Sequence, residues 1–274
     1  MFEYDFKTDS IHFDEKFDEK FGFGGNIKVS EVQADNEALV KFLREFEQAK
    51  TKDSIHTEPF ELLDNLHQKQ WYRMIAYRII GDKSMPQHVI GKLMNVQQII
   101  EEKQRIQEEA DRDALTALYN RKGFEKKLAE LMEKYPKQTS VAFAVLDIDS
   151  FKAVNDSLGH AGGDEALKRL ASQLDKISSD QVITARYDGD EFVICMFDVM
   201  KEQAEDTFQR LVKEMDFDMS FQGNSQKISI SLGGVYVNEI LSLTLLFAEA
   251  DKVLYCVKNE GKNNYRLINH LEEI

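Results

Sequence analysis

Two pairs of acidic residues are the strongest chemical signal in this sequence. Asp147 and Asp149 come at the end of an apolar run typical of a buried strand. Asp190 and Glu191 follow an Asp-Gly dipeptide of the kind favoured in tight hairpin turns. Ligands commonly bind where strands give way to loops at the edge of a sheet, so neighbouring strands would bring these carboxylates together.

Converging carboxylates favour a bound cation. They repel one another, and their pKa values rise unless a positive charge lies among them. Oxygen ligands with water in the remaining positions suit Mg²⁺ or Mn²⁺ rather than Zn²⁺. Each pair taken alone also fits an ordinary hydrogen-bonded turn, because Asp is a common turn residue. The joint occurrence of the two pairs favours a divalent-cation site.

The second half of the chain shows the regular alternation that would position these residues. Strands are predicted at 139–149, 182–187, 191–197 and 227–237, and helices at 121–135, 163–177, 202–215 and 245–261. Strands that alternate with helices, together with one hairpin, predict a mixed sheet with helices packed against it.

The first hundred residues predict a separate, smaller α+β unit with an antiparallel sheet. Strands are predicted at 2–8, 10–14, 71–80 and 88–96, and helices at 37–49 and 59–67. The last two strands form a predicted hairpin around a turn at 81–86. Phe13, Phe17 and Phe21 are spaced four apart, which gives one apolar stripe on a helix and is typical of core packing.

A charged helix is predicted between the two halves, from Val96 to Ala110. Its apolar positions follow a 3-4 spacing that Lys103 interrupts. The pattern fits a short parallel coiled coil, which would couple the two halves within a dimer, and it equally fits a solvated linker helix. Only about two heptads are visible, so both interpretations stay open.

Composition limits the partners and the compartment. The chain has 274 residues, enough for two domains, and its 35 Lys and Arg against 49 Asp and Glu give a net charge of −14. This balance argues against DNA or RNA as the main partner, and an anionic substrate needs a local basic pocket or bound cations. Two cysteines, no readable secretory signal and no apolar run of about 18 residues lead us to expect a cytoplasmic protein without a membrane segment.

Four segments, in order along the chain, resemble a GGDEF domain of the diguanylate cyclase type. They are DALTALYNRKGF, LDIDSFKAVNDSLGHAGGDEAL, RYDGDEF and ADKVLYCVKNEGKN, and the match runs from Asp113 to about Arg266. The resemblance implies a fold like the palm of nucleotide cyclases and polymerases, and an enzyme that condenses two GTP molecules to cyclic di-GMP and pyrophosphate. Because each such domain binds one GTP, the resemblance also implies a homodimer.

The resemblance further implies roles for individual residues. It places the metal ion on Asp147, the carbonyl of Ile148, Asp190 and Glu191. It gives the chemical step to Asp190, Glu191 and Lys258, where Glu191 supports the metal or helps to deprotonate the attacking hydroxyl. It assigns Asn155 and Asp164 to the guanine edge, Lys152, Lys258 and Lys262 to the phosphates, and Phe151, Asp188 and Gly189 to the surroundings of the nucleotide. Three lysines would supply the local positive charge that the acidic chain lacks.

Three features depart from the family pattern. The first glycine of the signature is Asp188, which puts a carboxylate beside the nucleotide, and Lys262 stands where the family often has Arg. The product-inhibition motif RxxD aligns with residues 178–182, which contain no Arg, so we expect no feedback site of that type. Asp188 keeps a second function open, that of a non-catalytic module that binds GTP or cyclic di-GMP and signals through protein contacts.

Residues 1–98 resemble a PAS sensor domain, ahead of a linker helix at 99–112 and the GGDEF domain at 113–274. The resemblance rests on the predicted hairpin strands and the charged helix that follows them. A flavin-cysteinyl photosensor is excluded because both cysteines lie in the second half, and haem would need an axial ligand such as a histidine. Neither flavin nor haem is expected.

Some residues within the motifs have an ordinary structural interpretation beside the functional one. Phe151 and Phe192 fit core packing, because aromatic residues beside strands are most often buried. His160 fits a structural role better than a catalytic one. Arg186 fits either a phosphate contact or a pair with a nearby acid.

Overall fold

The chain divides into two compact units, Met1–Ile106 and Gln107–Ile274, each with its own sheet. This computed structural model describes residues 1–32, 36–48, 54–80 and 86–270. The turn predicted at 81–86 therefore lies almost wholly outside the described residues. Within the described ranges, no helix has both the length and the apolar character that crossing a bilayer requires.

In its described residues, the first unit consists of an antiparallel sheet, two α-helices and a 3-10 turn. The strands are β1 (Phe2–Asp5), β2 (Ser10–Phe13), β3 (Asn26–Lys28), β4 (Ser54–His56), β5 (Phe60–Leu63), β6 (Lys69–Ile80) and β7 (Pro86–Asn95). The helices are α1 (Glu15–Phe21) and α2 (Glu37–Gln48), and the 3-10 turn is Val29–Glu31. The strand order is β3-β2-β1-β7-β6-β4, with β5 also paired to β6.

The predicted phenylalanine stripe is in the core, although only part of it is helical. Phe13 ends β2, and Asp14 then caps α1 by accepting a hydrogen bond from the Phe17 N–H at 2.9 Å. The rings of Phe13, Phe17 and Phe21 stack in sequence, with centroid separations of 4.6 and 4.2 Å. Core packing is therefore confirmed. One helix through all three is wrong, because the Asp14 cap starts the helix after Phe13.

The helix predicted at 59–67 is also wrong. Phe60–Leu63 forms β5, which pairs antiparallel with β6. Phe60 and Leu62 are buried whereas Glu61 between them is exposed. This two-residue alternation is the pattern of a strand with one buried face, and it decides the structure of so short a segment.

The second unit is built on a mixed sheet with helices against it. The helix that leads into it is α3 (Gln97–Ala110), and the later helices are α4 (Arg121–Lys134), α5 (Phe151–Ile177), α6 (Lys201–Glu214) and α7 (Leu243–Asn259). Its strands are β8 (Val141–Ile148), β9 (Val182–Asp188), β10 (Glu191–Phe197), β11 (Phe217–Phe221), β12 (Asn224–Ile228), β13 (Ile230–Val237) and β14 (Tyr265–Asn269). The mixed sheet has the order β14-β13-β8-β10-β9, with β13 and β14 parallel and the other neighbours antiparallel, and β11 and β12 form a separate antiparallel pair. The predicted α+β class with a palm-like second domain is confirmed.

The central strand β8 alternates between two cores. Its even-numbered residues 142–148 pack in a cluster that contains side chains of α5 and α6. Its odd-numbered residues 141–145 pack in a second cluster that contains side chains of α4 and α7. All eight residues of β8 are buried. Continuing the alternation by one step directs the side chain of Asp147 towards α7.

Several helices and strands in the second unit begin or end at residues other than those predicted. Helix α5 begins at Phe151 rather than at 163, and it has a break at Gly159, whose φ is +72°. The strand predicted at 227–237 is interrupted at Ser229, between β12 and β13. Strands β11 and β14 were not predicted, although the apolar–polar alternation of Phe217–Phe221 is a strand pattern, and β14 is a short strand added at the edge of the sheet.

Helix α3 forms where the linker helix was predicted. Val96, just before it, is buried, whereas Ile99 and Ile106 are 66% and 54% exposed. Both the coiled coil and the solvated helix leave these side chains exposed in one copy of the chain. The choice between them stays a prediction.

Candidate functional site

The two acidic pairs lie on neighbouring strands at one end of the second sheet. Strands β8 and β10 are antiparallel, and Asp147 pairs with Glu191 across them. Asp190 immediately precedes β10, and its charge acts on Asp147. The hairpin therefore brings together the carboxylates that the sequence predicted to converge.

Asp147 is a nearly buried carboxylate with one unpaired oxygen. Lys258 of α7 forms an ion pair with Oδ2, whereas Oδ1 is buried and accepts no hydrogen bond. Burial raises the pKa of Asp147 to about 6, Asp190 and Asp149 add to this, and Lys258 opposes it. Burial also disfavours the charged ammonium of Lys258, but its contact with Asp147 outweighs burial and raises the pKa of Lys258.

These residues fit a divalent cation. Burial raises the pKa of Glu191, and the carboxylates of Asp188 and Asp190 raise it further. A hard cation would relieve this repulsion and give Asp147 Oδ1 a partner, with the carbonyl of Ile148 as another oxygen donor. Among the residues that the structure describes, no three or more acidic, His or Cys side chains are arranged as a metal site. The donor set would therefore include the backbone carbonyl.

Asp149 does not belong to this group. Its Oδ1 accepts a hydrogen bond from the Ser231 hydroxyl at 2.6 Å, and its Oδ2 accepts from the Ser229 hydroxyl at 2.6 Å and the Asn263 N–H at 2.9 Å. Both oxygens are thus engaged within the protein. The hydrogen-bonded turn that was the ordinary interpretation does not hold for Asp149 either, because its donors lie far along the chain, and its charge still adds to the raised pKa of Asp147.

The turn between β9 and β10 is held by Arg186. Its Nε donates to the Gly189 carbonyl oxygen at 2.7 Å, and its Nη1 pairs with Asp113 Oδ1 at 3.1 Å. The structure therefore shows Arg186 paired with a nearby acid. Gly189 has a φ of +44°, which favours glycine there, whereas Asp188 has no positive φ. The departure from the signature at Asp188 does not strain the turn.

The Arg186 pair predicts a pH-dependent contribution to stability. Burial opposes ionisation of Asp113, but hydrogen bonds from Thr116 and Arg186 outweigh burial and lower its pKa. The stabilisation is complete above the unfolded-state pKa of about 3.9 and is lost as the pH falls through the lower folded-state value. We expect Asp113→Asn to lower the melting temperature at pH 7, measured by calorimetry, and to have a much smaller effect at about pH 2. Equal effects at both pH values would contradict this account.

Helix α5 carries the residues assigned to the guanine edge on either side of its break. Asn155 comes before Gly159, and the exposed Asp164 comes after it. A Cβ on Gly163 would lie 2.0 Å from Asn155 Oδ1 and 3.3 Å from the ring of Phe151. The Asn155 amide therefore lies directly against the backbone at Gly163, next to Asp164, and only glycine leaves room for it.

The three lysines assigned to phosphates differ in their contacts. Lys262 Nζ donates to Ser150 Oγ at 2.8 Å in the loop after β8. Lys258 pairs with Asp147, as described above. Lys152 is exposed in the first turn of α5. Lys258 and Lys262 thus contact the same short stretch of chain, residues 147–150.

Two of the residues singled out from the sequence have an ordinary structural place. Three residues that support the site were not singled out. Phe192 is fully buried in the core, and His160 is exposed. Gly163, Ser229 and Ser231 were not singled out from the sequence. The glycine doublet at 162–163 was a readable signal for a close approach, but nothing local marked the two serines.

Comparison with known proteins finds relatives of this unit. The family described as "Diguanylate cyclase, GGDEF domain" matches residues 110–264. Diguanylate cyclase VdcA of Vibrio cholerae is 30% identical over 212 residues, which are 73% of this chain and 61% of that protein. Probable diguanylate cyclase DgcE of Escherichia coli is 31% identical over 194 residues, which are 69% of this chain and 18% of that protein. The chain spans less than two thirds of either relative.

Solved structures show the same fold. The coiled coil and GGDEF domain of DgcB from Caulobacter crescentus, in complex with c-di-GMP, superimposes with a TM-score of 0.57 and 27% identity. The match covers 63% of this chain and 93% of that one. The residues matched by the family include both acidic strand ends, helix α5 and Lys258.

Proposed function

Since this chain belongs to the GGDEF domain family of diguanylate cyclases, we propose that it condenses two GTP molecules into cyclic di-GMP with release of two pyrophosphates. The proposal is carried by the buried, unpaired Oδ1 of Asp147, which lies across the strands from Glu191 and beside Lys258. Buried polar atoms in folded proteins almost always have partners, so an orphaned carboxylate oxygen needs an explanation. A ligand cation supplies one.

A divalent cation, Mg²⁺ or Mn²⁺, is part of this proposal. Asp147, the carbonyl of Ile148 and Asp190 would hold it, with Glu191 in support. When bound, such a cation neutralises charge that develops on the transferring phosphates. The same ion would offset the repulsion that raises the pKa values of Asp147 and Glu191.

The chain's own residues have separate tasks in the reaction. Lys152, Lys258 and Lys262 bind the triphosphate and offset its charge. Glu191 helps to accept the proton of the 3′-hydroxyl that attacks the α-phosphorus of the second GTP. A new bond forms between that oxygen and the phosphorus, and the bond to pyrophosphate breaks. Repetition in the opposite sense closes the ring. Each copy of the chain binds one GTP, so two copies must face each other as a homodimer.

Guanine recognition predicts a large effect of a small substitution. Gly163→Ala places a methyl group 2.0 Å from Asn155 Oδ1, so the amide must move away from the guanine edge. Loss of one well-placed hydrogen-bonding group corresponds to roughly tenfold weaker binding. We expect the Kd for GTP to rise about that much while the Kd for ATP changes little, as measured by calorimetry. A folded Gly163→Ala protein with unchanged GTP affinity would show that Asn155 has no such task.

A second candidate function rests on Asp188. Its carboxylate is exposed at the signature turn and raises the pKa of Glu191. This charge lies where the family has a bare backbone, and it would oppose the negative charge that develops on the phosphates during transfer. The observation favours a module that binds GTP or cyclic di-GMP without turnover.

The first unit is proposed as a PAS-like sensor that regulates the second. The support is its antiparallel sheet, in which β1 lies between β2 and β7, and the helix α3 that follows β7 and leads into the second unit. We expect a signal to act on the homodimer through α3. We propose that the protein acts in the cytoplasm, because its substrate GTP is available there.

The two candidate functions are separated by incubating the purified full chain with GTP and MgCl₂. The cyclase forms cyclic di-GMP and two pyrophosphates for each product molecule, detected by mass spectrometry and a phosphate-coupled assay, and EDTA abolishes both. The binding module retains GTP and forms no product. A chain that neither binds nor converts GTP would refute both candidates.

A further inference from the structure

Asp149 is held by three donors that come from two other parts of the chain. The hydroxyls of Ser229 and Ser231 each donate to its carboxylate at 2.6 Å, and the backbone N–H of Asn263 donates at 2.9 Å. Ser229 and Ser231 lie at the junction of β12 and β13, and Asn263 lies in the loop after α7. These four residues are called the Asp149 cluster below.

The carboxylate at the centre of the Asp149 cluster is buried, and both of its oxygens accept hydrogen bonds. Asp149 is 9% exposed and Ser231 is completely buried. The backbone N–H of Asp149 also donates to the Ser229 carbonyl oxygen at 2.8 Å. An ionised carboxylate is an acceptor-only group and accepts stronger hydrogen bonds than a neutral one, so it suits a point where three donors meet. The cluster therefore fixes the three segments relative to one another.

The loop after α7 needs this support because of its backbone conformation. Lys262 and Asn263 have φ values of +64° and +49°, in the left-handed region that disfavours most residues with a Cβ, Lys more than Asn. The Lys262 N–H donates to the Val257 carbonyl oxygen at 3.1 Å, and the Asn263 N–H donates to Asp149. Two adjacent hydrogen bonds hold two adjacent residues of left-handed conformation, and the second bond depends on Asp149.

This conformation brings Lys262 to the loop after β8. Its Nζ donates to Ser150 Oγ at 2.8 Å, and Ser150 directly follows Asp149 in the chain. Two residues before Asp149, Asp147 pairs with Lys258. Lys258 near the end of α7 and Lys262 just after it therefore reach the same short stretch, residues 147–150, and Asp149 links that stretch to the backbone that carries Lys262.

We propose that Asp149 is a positioning residue that holds the Lys262 ammonium group where the phosphates of GTP bind. Both carboxylate oxygens of Asp149 are engaged within the protein, and it acts through the backbone of Asn263. The inference rests on the proposed function, because it takes the phosphates of GTP as the partner of Lys262. The structural half of the proposal, that Asp149 holds the loop after α7, can be measured without any enzymatic turnover.

Hydrogen exchange of the full chain tests the structural half. We expect Asp149→Ala to speed the exchange of residues 260–264 at least about tenfold, because the Asn263 N–H loses its acceptor. Asp149→Asn should restore slow exchange, since its amide oxygen still accepts from Asn263 and Ser229, and the Ser231 hydroxyl rotates to accept from its NH₂. Lys262→Ala, the matched control, should leave the Asn263 amide protected. Wild-type exchange rates in Asp149→Ala would overturn the proposal.

Steady-state kinetics with GTP test the functional half. A lysine that binds phosphate equally in the ground and transition states affects mainly KM, so Asp149→Ala and Lys262→Ala should each raise KM about tenfold with little change in kcat. The double variant should have the KM of Lys262→Ala alone, and Asp149→Asn should be close to wild type. Effects that multiply in the double variant would overturn the proposal. A wild-type protein without product would instead refute the proposed function, and the exchange result would still decide whether Asp149 holds the loop.

Discussion

Replacing Asp147 with asparagine is expected to slow the formation of cyclic di-GMP by about 10³-fold, the upper end of the range for removing one group that stabilises charge in the transition state. Asparagine keeps the shape of the side chain but removes the charge from the oxygen that has no partner in the protein, Oδ1. The Lys258 ammonium would then face a neutral amide. The measurement is the initial rate of pyrophosphate release at saturating GTP and MgCl₂.

A matched control separates this effect from general loss of acidic charge. Asp206 is exposed on α6, and Asp206→Asn should retain the wild-type rate. Both variants should unfold cooperatively, which thermal unfolding checks. An Asp147→Asn protein that is folded and within twofold of the wild-type rate would show that the metal assignment is wrong.

Replacing Lys258 with methionine is expected to lower kcat/KM for GTP by at least about 10²-fold. Methionine keeps most of the apolar stem but removes the ammonium that contacts Asp147 and is assigned to the phosphates. Loss of that charge also removes the interaction that opposes the raised pKa of Asp147, so a larger fraction of Asp147 is protonated at neutral pH. GTP titrations that give kcat and KM separately are the measurement.

The control for this substitution lies on the same helix. Lys252 is exposed on α7, six positions before Lys258, and Lys252→Met should have wild-type kinetics. Lys258→Arg keeps the charge with a different shape and should recover part of the activity. Equal kinetics for Lys258→Met and Lys252→Met would exclude Lys258 from the chemical step.

The site at the strand ends was predictable because its signals are local. The apolar run of β8 places Asp147 at the edge of a buried strand, and the Asp-Gly turn starts the neighbouring strand at Glu191. The residues in contact follow from strand alternation and hairpin register alone. The family pattern then supplied roles for residues on α5 and α7, where spacing by itself indicates none.

Other parts of the site and of the fold could not be predicted, because they depend on residues far apart in the chain or on segments too short to show a pattern. The donors to Asp149 are 80, 82 and 114 residues away, and no local pattern announces them. Strand β14 exists only as an addition to the edge of a sheet whose other strands come earlier in the chain. Strand β5 was mistaken for a helix because four residues are too few for periodicity to separate the two.

Calorimetric titration with a GTP analogue that cannot react, α,β-methylene-GTP, tests the central claim most directly. The claim is that Asp147 and Asp190 share one divalent ion that binds a guanosine triphosphate. The account predicts that the full chain binds the analogue in MgCl₂, that EDTA abolishes binding, and that Asp147→Asn weakens it at least about tenfold. Equal binding with and without Mg²⁺, or in the wild type and Asp147→Asn, would contradict it.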